Sequence, residues 1–299
     1  MVKKIFFAGM ILLAASCSNE SELNEVINSE KATAPVTVRV GGVSISQEDF
    51  PTGGTRAEQD VVDYTGVGAI DLAFYSGETE VYKTTQLRSN TSSYTTFGEF
   101  ACNLPIGTYT MVVVGRGYFT DDVFTLTSPT VAAYTSERAR ETFCATQAVN
   151  ITSTAAVNLS ATLNRIVAKL EIMSTDNRVE GVSKIRTTYS AGSKSFNPTT
   201  GLATSNTGFA LTNTPSATVG QTIDVGSFVF LTTDEQKVNI TIEVLDANED
   251  VMFTKYVTNV PLKRNRQTSL SGPIFTETAI TSSAFKLETA WLADNTVNF

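Results

Sequence analysis

The chain has no histidine among its 299 residues, so it lacks the side chain most often used for acid–base catalysis near neutral pH. Metal sites built on imidazole are excluded for the same reason. Cysteine is scarce, with three residues in all, which is too few for a cysteine-rich metal site. Acidic pairs such as Asp121 and Asp122 have no accompanying nucleophile motif and are typical of turns. We therefore predict no catalytic residue, no cofactor and no metal site, and a hydrolase is the least favoured class.

Positive charge is also in short supply, with 22 Lys and Arg residues against 30 Asp and Glu residues, a net charge of −8. Two of the positive charges, Lys3 and Lys4, belong to an N-terminal leader. Removal of these two positive charges from a net charge of −8 leaves −10 on the rest of the chain. An acidic surface repels phosphate backbones and anionic headgroups. The composition thus argues against nucleic acid and against anionic lipid as partners.

The leader contains an apolar run of residues 5–15 directly after Lys3 and Lys4. This run is shorter than the roughly 20 apolar residues that a membrane-spanning helix needs. A polar and acidic stretch, residues 18–22, follows it. A charged start, a short apolar core and small residues at its end are typical of a secretory signal peptide, which we assign to residues 1–16.

The four residues at the end of the leader, Ala-Ala-Ser-Cys, resemble a lipobox, whose cysteine is acylated and becomes the new N-terminus. The leucine that the pattern prefers stands one place early, at Leu13. Ordinary cleavage beside an incidental cysteine is the alternative, but the small residues before Cys17 favour lipidation. Residues 17–32 are then a lipid-anchored flexible tether, because they are polar, acidic and free of aromatic residues.

The body of the chain consists of short alternating runs of apolar and polar residues, broken by Gly, Pro, Asn and Asp. This period of two is typical of half-buried strands. It is clearest where four apolar residues are predicted to face a core, at Val238, Ile240, Ile242 and Val244. Residues 246–250 then form a turn into a second strand at 251–257, which predicts a hairpin. The pattern predicts an all-β protein built of sandwiches or Greek-key barrels.

A polar passage rich in Ala, Thr and Ser, residues 146–160, predicts a domain boundary near residue 155. We expect an N-terminal strand and loop at 33–56, an N-terminal β-sandwich at 57–155 and a C-terminal one at 156–299. The first sandwich contains Cys102 and Cys144. An exported pair can form one disulfide, and the sequence leaves open whether this pair does so.

Three segments carry a resemblance to a known family. Residues 103–109 read NLPIGTY, residues 163–172 read LNRIVAKLEI, and residues 260–275 read VPLKRNRQTSLSGPIF. In this order, and together with the lipobox, they resemble the fimbrillins of the Bacteroidales, which are lipoprotein precursors of type V pili. The third run is the most specific. The resemblance implies two tandem transthyretin-like or Greek-key sandwich domains, the first beginning with a removable strand, and a structural role without enzymatic activity.

Charged residues in these motifs are interpreted as markers of the fold. Arg165 and Lys169 are predicted to be outward-facing charges on a half-buried strand. Lys263, Arg264 and Arg266 form a basic cluster that we interpret as a solvated hairpin end rather than an anion pocket.

A candidate maturation site follows the first predicted strand, residues 35–45. Residues 50–58 are glycine-rich and typical of an exposed turn, and they contain Arg56. An extended mobile backbone with a single arginine is a good substrate for a trypsin-like protease. The resemblance implies the same event, since fimbrillin precursors are cut after an arginine at this place and lose the N-terminal strand. Cleavage would leave Ala57 as the mature N-terminus.

The C-terminal tail is a candidate donor strand. Phe285, Leu287, Thr289 and Trp291 share one face of a predicted strand. Loss of the first strand would uncover two unpaired strand edges, which accept a strand from a neighbouring subunit. The alternative is that the tail is the last strand of its own sheet.

The predicted function is that of a fimbrial subunit supporting adhesion, first an outer-membrane lipoprotein precursor and then part of a cell-surface fimbrium. Its partners would be other fimbrial subunits, an Arg-specific protease and, through its lipid, the outer membrane, with no nucleic acid. The alternatives are a pilus anchor, which keeps its lipid, and a surface lipoprotein that binds a glycan or host ligand without polymerising. Aromatic residues that we expect to be exposed, and that could stack on sugars in that last case, are Tyr75, Tyr82, Tyr118 and Trp291. The sequence leaves a stalk, tip or anchor role open.

Overall fold

The structure, a computed structural model, describes residues 31–45, 57–276 and 286–289. Strands dominate these residues, and the helical element within them is one short 3-10 turn, Thr91–Ser93. The prediction of an all-β fold is thereby confirmed. Across the described residues, no helix has the length and apolar character needed to cross a bilayer.

Twenty strands make up the described fold. Those of the first half are β1 (Thr33–Ile45), β2 (Ala57–Asp60), β3 (Ala69–Ser76), β4 (Thr79–Leu87), β5 (Glu99–Pro105), β6 (Gly107–Arg116), β7 (Phe124–Ser128), β8 (Val131–Tyr134), β9 (Thr142–Ile151) and β10 (Val157–Arg165). Those of the second half are β11 (Ala168–Ser174), β12 (Lys184–Tyr189), β13 (Ser195–Asn197), β14 (Leu202–Ala203), β15 (Phe209–Asn213), β16 (Asp224–Val229), β17 (Glu235–Leu245), β18 (Val251–Lys263), β19 (Gln267–Gly272) and β20 (Lys286–Thr289).

The first sheet has the order β2-β1-β10-β9-β6-β3-β4, and β5 also pairs with β1. Side chains of β1, β5 and β10 pack against side chains of β3, β6 and β9 in one core, so the sheet folds over on itself. Large members of this first core are Leu72, Phe74 and Phe143. The fold line runs between β9 and β10, whose ladder contains only the pairs Asn164–Cys144 and Arg165–Phe143.

The second half contains two four-stranded sheets, with the orders β16-β11-β19-β20 and β15-β12-β17-β18. They sandwich a second core, to which β11 contributes Leu170 and Ile172 and β17 contributes Ile240 and Ile242. Every second residue of β17 is buried from Val238 onward, and β17 pairs with β18 as a hairpin. The alternation and the hairpin predicted for this segment are confirmed.

A small sheet with the order β14-β13-β8-β7 takes strands from both halves. It covers the outer face of the first sheet through a third core rich in aromatic rings. The rings of Phe196 and Phe230 stack there with centroids 4.5 Å apart, next to Tyr134. Strand β10 pairs with β1 and β9 in the first sheet, although the boundary near residue 155 assigns it to the second domain. The division into two domains stays a prediction.

Candidate assembly site

Strand β1 occupies an interior position in the first sheet. Along one side it runs parallel to β10, with Val36 opposite Val157. Along the other side its first part is antiparallel to β5, and its last part is antiparallel to β2. The register shifts after Val40, where Gly41 forms a bulge between the two antiparallel partners. The first strand after the predicted tether is therefore held by ladders on both sides.

The inward face of β1 is completely apolar. Val36, Val38, Val40 and Val43 are each at most 3% exposed and belong to the first core. The polar residues between them face solvent, as the period of two predicts. Burial of a valine side chain stabilises a fold by roughly 1.5–3 kcal/mol. The removal of β1 would uncover an apolar groove and leave main-chain groups of β10 and β5 without partners.

This burial leads to a first prediction. Val38→Asp places a carboxylate in the first core without a partner, and we expect the free energy of unfolding to fall by at least ~3 kcal/mol. Thr37→Asp, on the exposed face of the same strand, should cost no more than ~1 kcal/mol. Urea denaturation followed by circular dichroism measures both values. Equal losses for the two variants would contradict the position of β1.

The connection between β1 and β2 contains the predicted cleavage site. Ile45, the last residue of β1, lies opposite Ala57, the first residue of β2, and residues 46–56 join them. Arg56 lies outside the described residues, as does the predicted lipidation site Cys17. A cut between Arg56 and Ala57 would leave β2 on the body of the protein and β1 on the N-terminal fragment.

The candidate donor strand is described only in part. The backbone of β20 pairs antiparallel with β19, with Leu287 opposite Leu270 and Thr289 opposite Thr268. It is an edge strand of its sheet, and its described ladder is to β19 alone. Phe285 and Trp291 lie outside the described residues. For residues 286–289 this is the arrangement that the own-sheet alternative predicts.

The disulfide considered for Cys102 and Cys144 is not formed, and both thiols are free. Cys102 lies beside the first core, whereas Cys144 points to the opposite face of the sheet, into the third core. The Cys144 Sγ donates a hydrogen bond to the Pro198 carbonyl at 3.4 Å. Burial raises the pKa of Cys102 to about 11 and that of Cys144 to about 12, so both remain protonated near neutral pH.

A polar cluster lies where the first sheet meets the second half, and it centres on Arg165. One guanidinium nitrogen is 2.7 Å from Glu141 Oε1 and donates to Tyr64 Oη at 2.9 Å, while the other donates to Asn265 Oδ1 at 3.1 Å. The guanidinium also lies over the ring of Phe143, 5.0 Å from its centroid. Burial, and then the charge of Glu141, raises the pKa of Tyr64 above its ordinary value.

The prediction that Arg165 faces outward is wrong, since its side chain is 1% exposed. A buried guanidinium is tolerated here because a carboxylate and two oxygen acceptors surround it. Among the residues of the basic cluster, Lys263 is exposed as predicted and pairs with Glu235, while Arg264 is half-buried and pairs with Asp234. Arg266 is instead 6% exposed.

An open cleft of about 980 Å³ separates β9 from β10. From β9 it is lined by residues 144–147, and from β10 by residues 160–162, 164 and 165. Residues 198–201 and 263–266 also line it. We call the two strand edges that continue beyond the short β9–β10 ladder, residues 145–151 of β9 and 157–163 of β10, the seam. The sequence does not predict the seam, because it exists only where the ladder between β9 and β10 stops after two residue pairs.

Three of the four aromatic residues considered for sugar binding lie among the described residues. Tyr75 is buried, and its hydroxyl donates to the Leu126 carbonyl at 3.3 Å, so its predicted exposure is wrong. Tyr82 and Tyr118 are half-buried, and Trp291 lies outside the described residues. Phe119, which sequence analysis missed, is 56% exposed. Within the described part of the chain, no group of acidic or cysteine side chains is arranged to hold a metal ion.

Comparison with protein families gives one match, over residues 47–288, to a family of unknown function, DUF6562. The chain belongs to this family. The matched residues run from the β1–β2 connection to β20, so the family shares most of the fold described above. No curated protein matches the sequence.

Three solved structures illustrate what the fold is similar to. A candidate adhesin from Bacteroides ovatus has 10% identity and a TM-score of 0.49, covering 82% of this chain and 88% of its own. A candidate cell adhesion protein from Bacteroides ovatus has 11% identity and a TM-score of 0.48, covering 89% and 100%. The fimbrial anchor protein Mfa2 from Porphyromonas gingivalis has 10% identity and a TM-score of 0.47, covering 80% and 90%. At TM-scores below 0.5 these likenesses support no inference about function.

Proposed function

We propose that this protein is a structural subunit of a cell-surface fimbrium and that it catalyses no reaction. It is exported as a lipoprotein through Cys17 and matures when an Arg-specific protease cuts between Arg56 and Ala57. The observation that carries the proposal is the position of β1. This first strand covers the first core from inside the sheet, yet residues 46–56 are its only covalent link to the rest of the fold.

Because of the position of β1, cleavage would allow a strand that covers the first core to leave the sheet. After the cut, β1 is held only by its ladders and by the burial of its four valines. Its departure leaves β10 on one side and β5 on the other with unpaired main-chain groups along an apolar groove. A strand from a neighbouring subunit that buries apolar residues at alternate positions restores both ladders and fills the groove. Subunits joined in this way form a polymer.

The C-terminal tail, residues 284–299, is the donor in this proposal. In the isolated chain, β20 is an edge strand whose described ladder is to β19. Transfer into the groove of a neighbour exchanges that ladder for two, one with β10 and one with β5. Once β1 has left, the gain of one ladder, together with burial of apolar side chains in the groove, favours the transfer.

Polymerisation in vitro tests the proposed function. The Cys17→Ala protein, which carries no lipid, is incubated with an Arg-specific protease and viewed by negative-stain electron microscopy. We expect filaments to form as the N-terminal fragment is released, and the uncut protein to stay unpolymerised. Complete cleavage at Arg56 without filaments, with the β1 fragment still bound, would contradict strand exchange.

A second prediction concerns the lipid anchor. Cys17→Ala should abolish acylation and retention at the outer membrane while leaving the folded domains intact, because the three described cores are built from Ala34 and later residues. Metabolic labelling with an alkyne fatty acid measures the acylation. Cys102→Ala is the matched control, since the Cys102 thiol is half-buried and should take up no label. Undiminished labelling of the Cys17 variant would remove the lipoprotein assignment.

The pairing of β20 with β19 favours a second candidate function. A pilus anchor, or a surface lipoprotein that binds its ligand without polymerising, would keep both β1 and β20 in its own sheets. Such a protein would retain its lipid, and its mature N-terminus would be Cys17. The same protease experiment separates the two candidates, because an anchor would yield no filaments.

A further inference from the structure

Residues 272–276 join the end of β19 to the C-terminal tail, and one carboxylate holds their main chain. Asp176 accepts the N–H of Ile274 at its Oδ1 atom and the N–H of Phe275 at its Oδ2 atom, each at 2.8 Å. The residue before them is Pro273, which has no main-chain N–H to satisfy. Hydrogen bonds to an ionised acceptor are about twice as strong as neutral ones. The segment is therefore held firmly although it lies beyond the ladder of β19.

A buried lysine holds the next residue of the segment. Lys255 lies on β18, in the other sheet around the second core, and its Nζ atom donates a hydrogen bond to the Thr276 carbonyl. The lysine is 3% exposed, and burial lowers its pKa while the charge of Asp176 opposes that lowering. Burial of an ammonium group costs free energy unless oxygen atoms accept its hydrogen bonds. The contact with Thr276 offsets part of that cost.

These polar contacts lie where the second core ends along the chain. Ile274 is completely buried and Phe275 is 4% exposed, and both belong to the second core. Thr276, the next residue, is exposed. Ile274 and Phe275 also end the third family motif, residues 260–275, for which the proposed function supplies no role. We call Asp176 and Lys255 together the tail anchor.

We propose, on the basis of the strand exchange proposed above, that the tail anchor fixes the point at which the donor tail leaves its own subunit. With this point fixed, β20 can part from β19 without opening the second core. Local unfolding otherwise spreads from a departing edge strand into the residues before it. Asp176 follows β11 of one sheet and Lys255 lies on β18 of the other, so both sheets around the second core hold the segment. The two side chains are positioning residues for the donor.

Hydrogen exchange followed by mass spectrometry tests the anchor in the full chain with Cys17→Ala and Arg56→Ala. This protein is neither lipidated nor cut, so the result does not depend on whether fimbriae form. The readout is the exchange rate of the amides of residues 267–275. It is compared between the chain with its tail and the same chain without residues 284–299.

Four substitutions are placed in both chains. Lys255→Met removes the ammonium group from an unbranched side chain, and Lys255→Arg keeps a cationic donor. Asp176→Asn is a milder variant that keeps one acceptor oxygen. Lys263→Met is the matched control, because Lys263 lies on the same strand as Lys255 but is exposed and pairs with Glu235.

In the parent protein, loss of the tail should change the exchange rate by less than about 2-fold, because the anchor keeps the segment closed. In Lys255→Met and Asp176→Asn, loss of the tail should raise the rate by about 10-fold or more, because the pairing of β20 with β19 then supports the segment. Lys255→Arg and Lys263→Met should behave as the parent does.

Three results would each overturn the anchor. The first is a rise of about 10-fold on loss of the tail in the parent itself. The second is the same rise from Lys255→Met and Asp176→Asn with and without the tail, which independent contributions to stability produce. The third is failure of both variants to fold, because the two residues would then support the second core itself. The expected exchange rates without filaments in the protease experiment would overturn strand exchange and not the anchor.

Discussion

Replacement of Arg56 by alanine is expected to abolish maturation and, with it, the fimbria that this subunit builds. An Arg-specific protease needs the guanidinium at the residue before the cut, and Arg56 is the last residue before β2 begins at Ala57. The uncut chain keeps β1 in the first sheet, so its groove stays filled and no neighbour can enter. Cells producing Arg56→Ala should accumulate a membrane-bound, lipidated monomer. Immunoblotting of cell fractions and electron microscopy of the cell surface check this.

Two controls separate cleavage from other effects of the substitution. Arg39→Ala removes a guanidinium from β1 itself, where the side chain is 68% exposed and 3.7 Å from Glu99, so stability should change by less than ~1 kcal/mol. That variant should mature normally. Arg56→Lys keeps the charge but should resist an Arg-specific enzyme. Polymers of normal length from Arg56→Ala would show that cleavage at this residue does not trigger assembly.

Deletion of residues 284–299 is expected to leave a subunit that matures but cannot polymerise. As a donor, the tail would supply a full ladder of main-chain hydrogen bonds and bury Phe285, Leu287 and Trp291 in the neighbour. Side chains of this size stabilise by roughly 1.5–3 kcal/mol each when fully buried. Their loss would remove most of the assembly free energy while the first and second cores stay intact. Deletion of residues 293–299 alone is the control and should preserve assembly.

The melting temperature distinguishes a donor strand from a strand of its own sheet. If the function of the tail is to complete the sheet of β19, its deletion removes a ladder and apolar burial from the monomer, and the melting temperature should fall by several degrees. If the tail serves as donor, the truncated monomer should melt within about 2 °C of the full-length protein, because the pairing of the tail with β19 then contributes little to the stability of the monomer. A truncated protein that unfolds easily would count against donation.

The features that sequence predicted well are those with a local cause. Alternation of apolar and polar residues fixes which face of a strand is buried, so the inward faces of β1 and β17 follow from the residues themselves. The hairpin between β17 and β18 is similarly local, since Asp246 to Asp250 form the turn that joins them. Predictions of this kind need no knowledge of distant parts of the chain.

The features that sequence missed depend on contacts between distant residues. Arg165 is buried because it contacts Glu141 and Asn265 where the first sheet reaches the second half. The spacing of these three residues along the chain does not predict that contact. The same applies to β10, which begins within the passage predicted to be a linker but pairs in parallel with β1, more than a hundred residues earlier. The seam is missed for a related reason, because where a ladder stops is decided by the folding of the whole sheet.

The faces on which the two cysteines lie explain why they form no disulfide. Cys102 alternates in phase with Phe100 and Leu104, which are buried in the first core. Cys144 follows Phe143, another member of that core, and therefore points to the other face of the sheet. Two cysteines on opposite faces of a sheet cannot reach the geometry that a disulfide needs.

The N-terminal sequence of the protein shed from cells tests the central claim most directly. The claim is that β1 is removed by a cut after Arg56 before the subunit enters a fimbrium. Edman degradation or mass spectrometry of fimbriae sheared from the surface should therefore read Ala-Glu-Gln-Asp, beginning at Ala57. A mature N-terminus found only at the acylated Cys17, in protein recovered from the same cells, would contradict the claim and indicate an anchor or a binding protein that keeps its first strand.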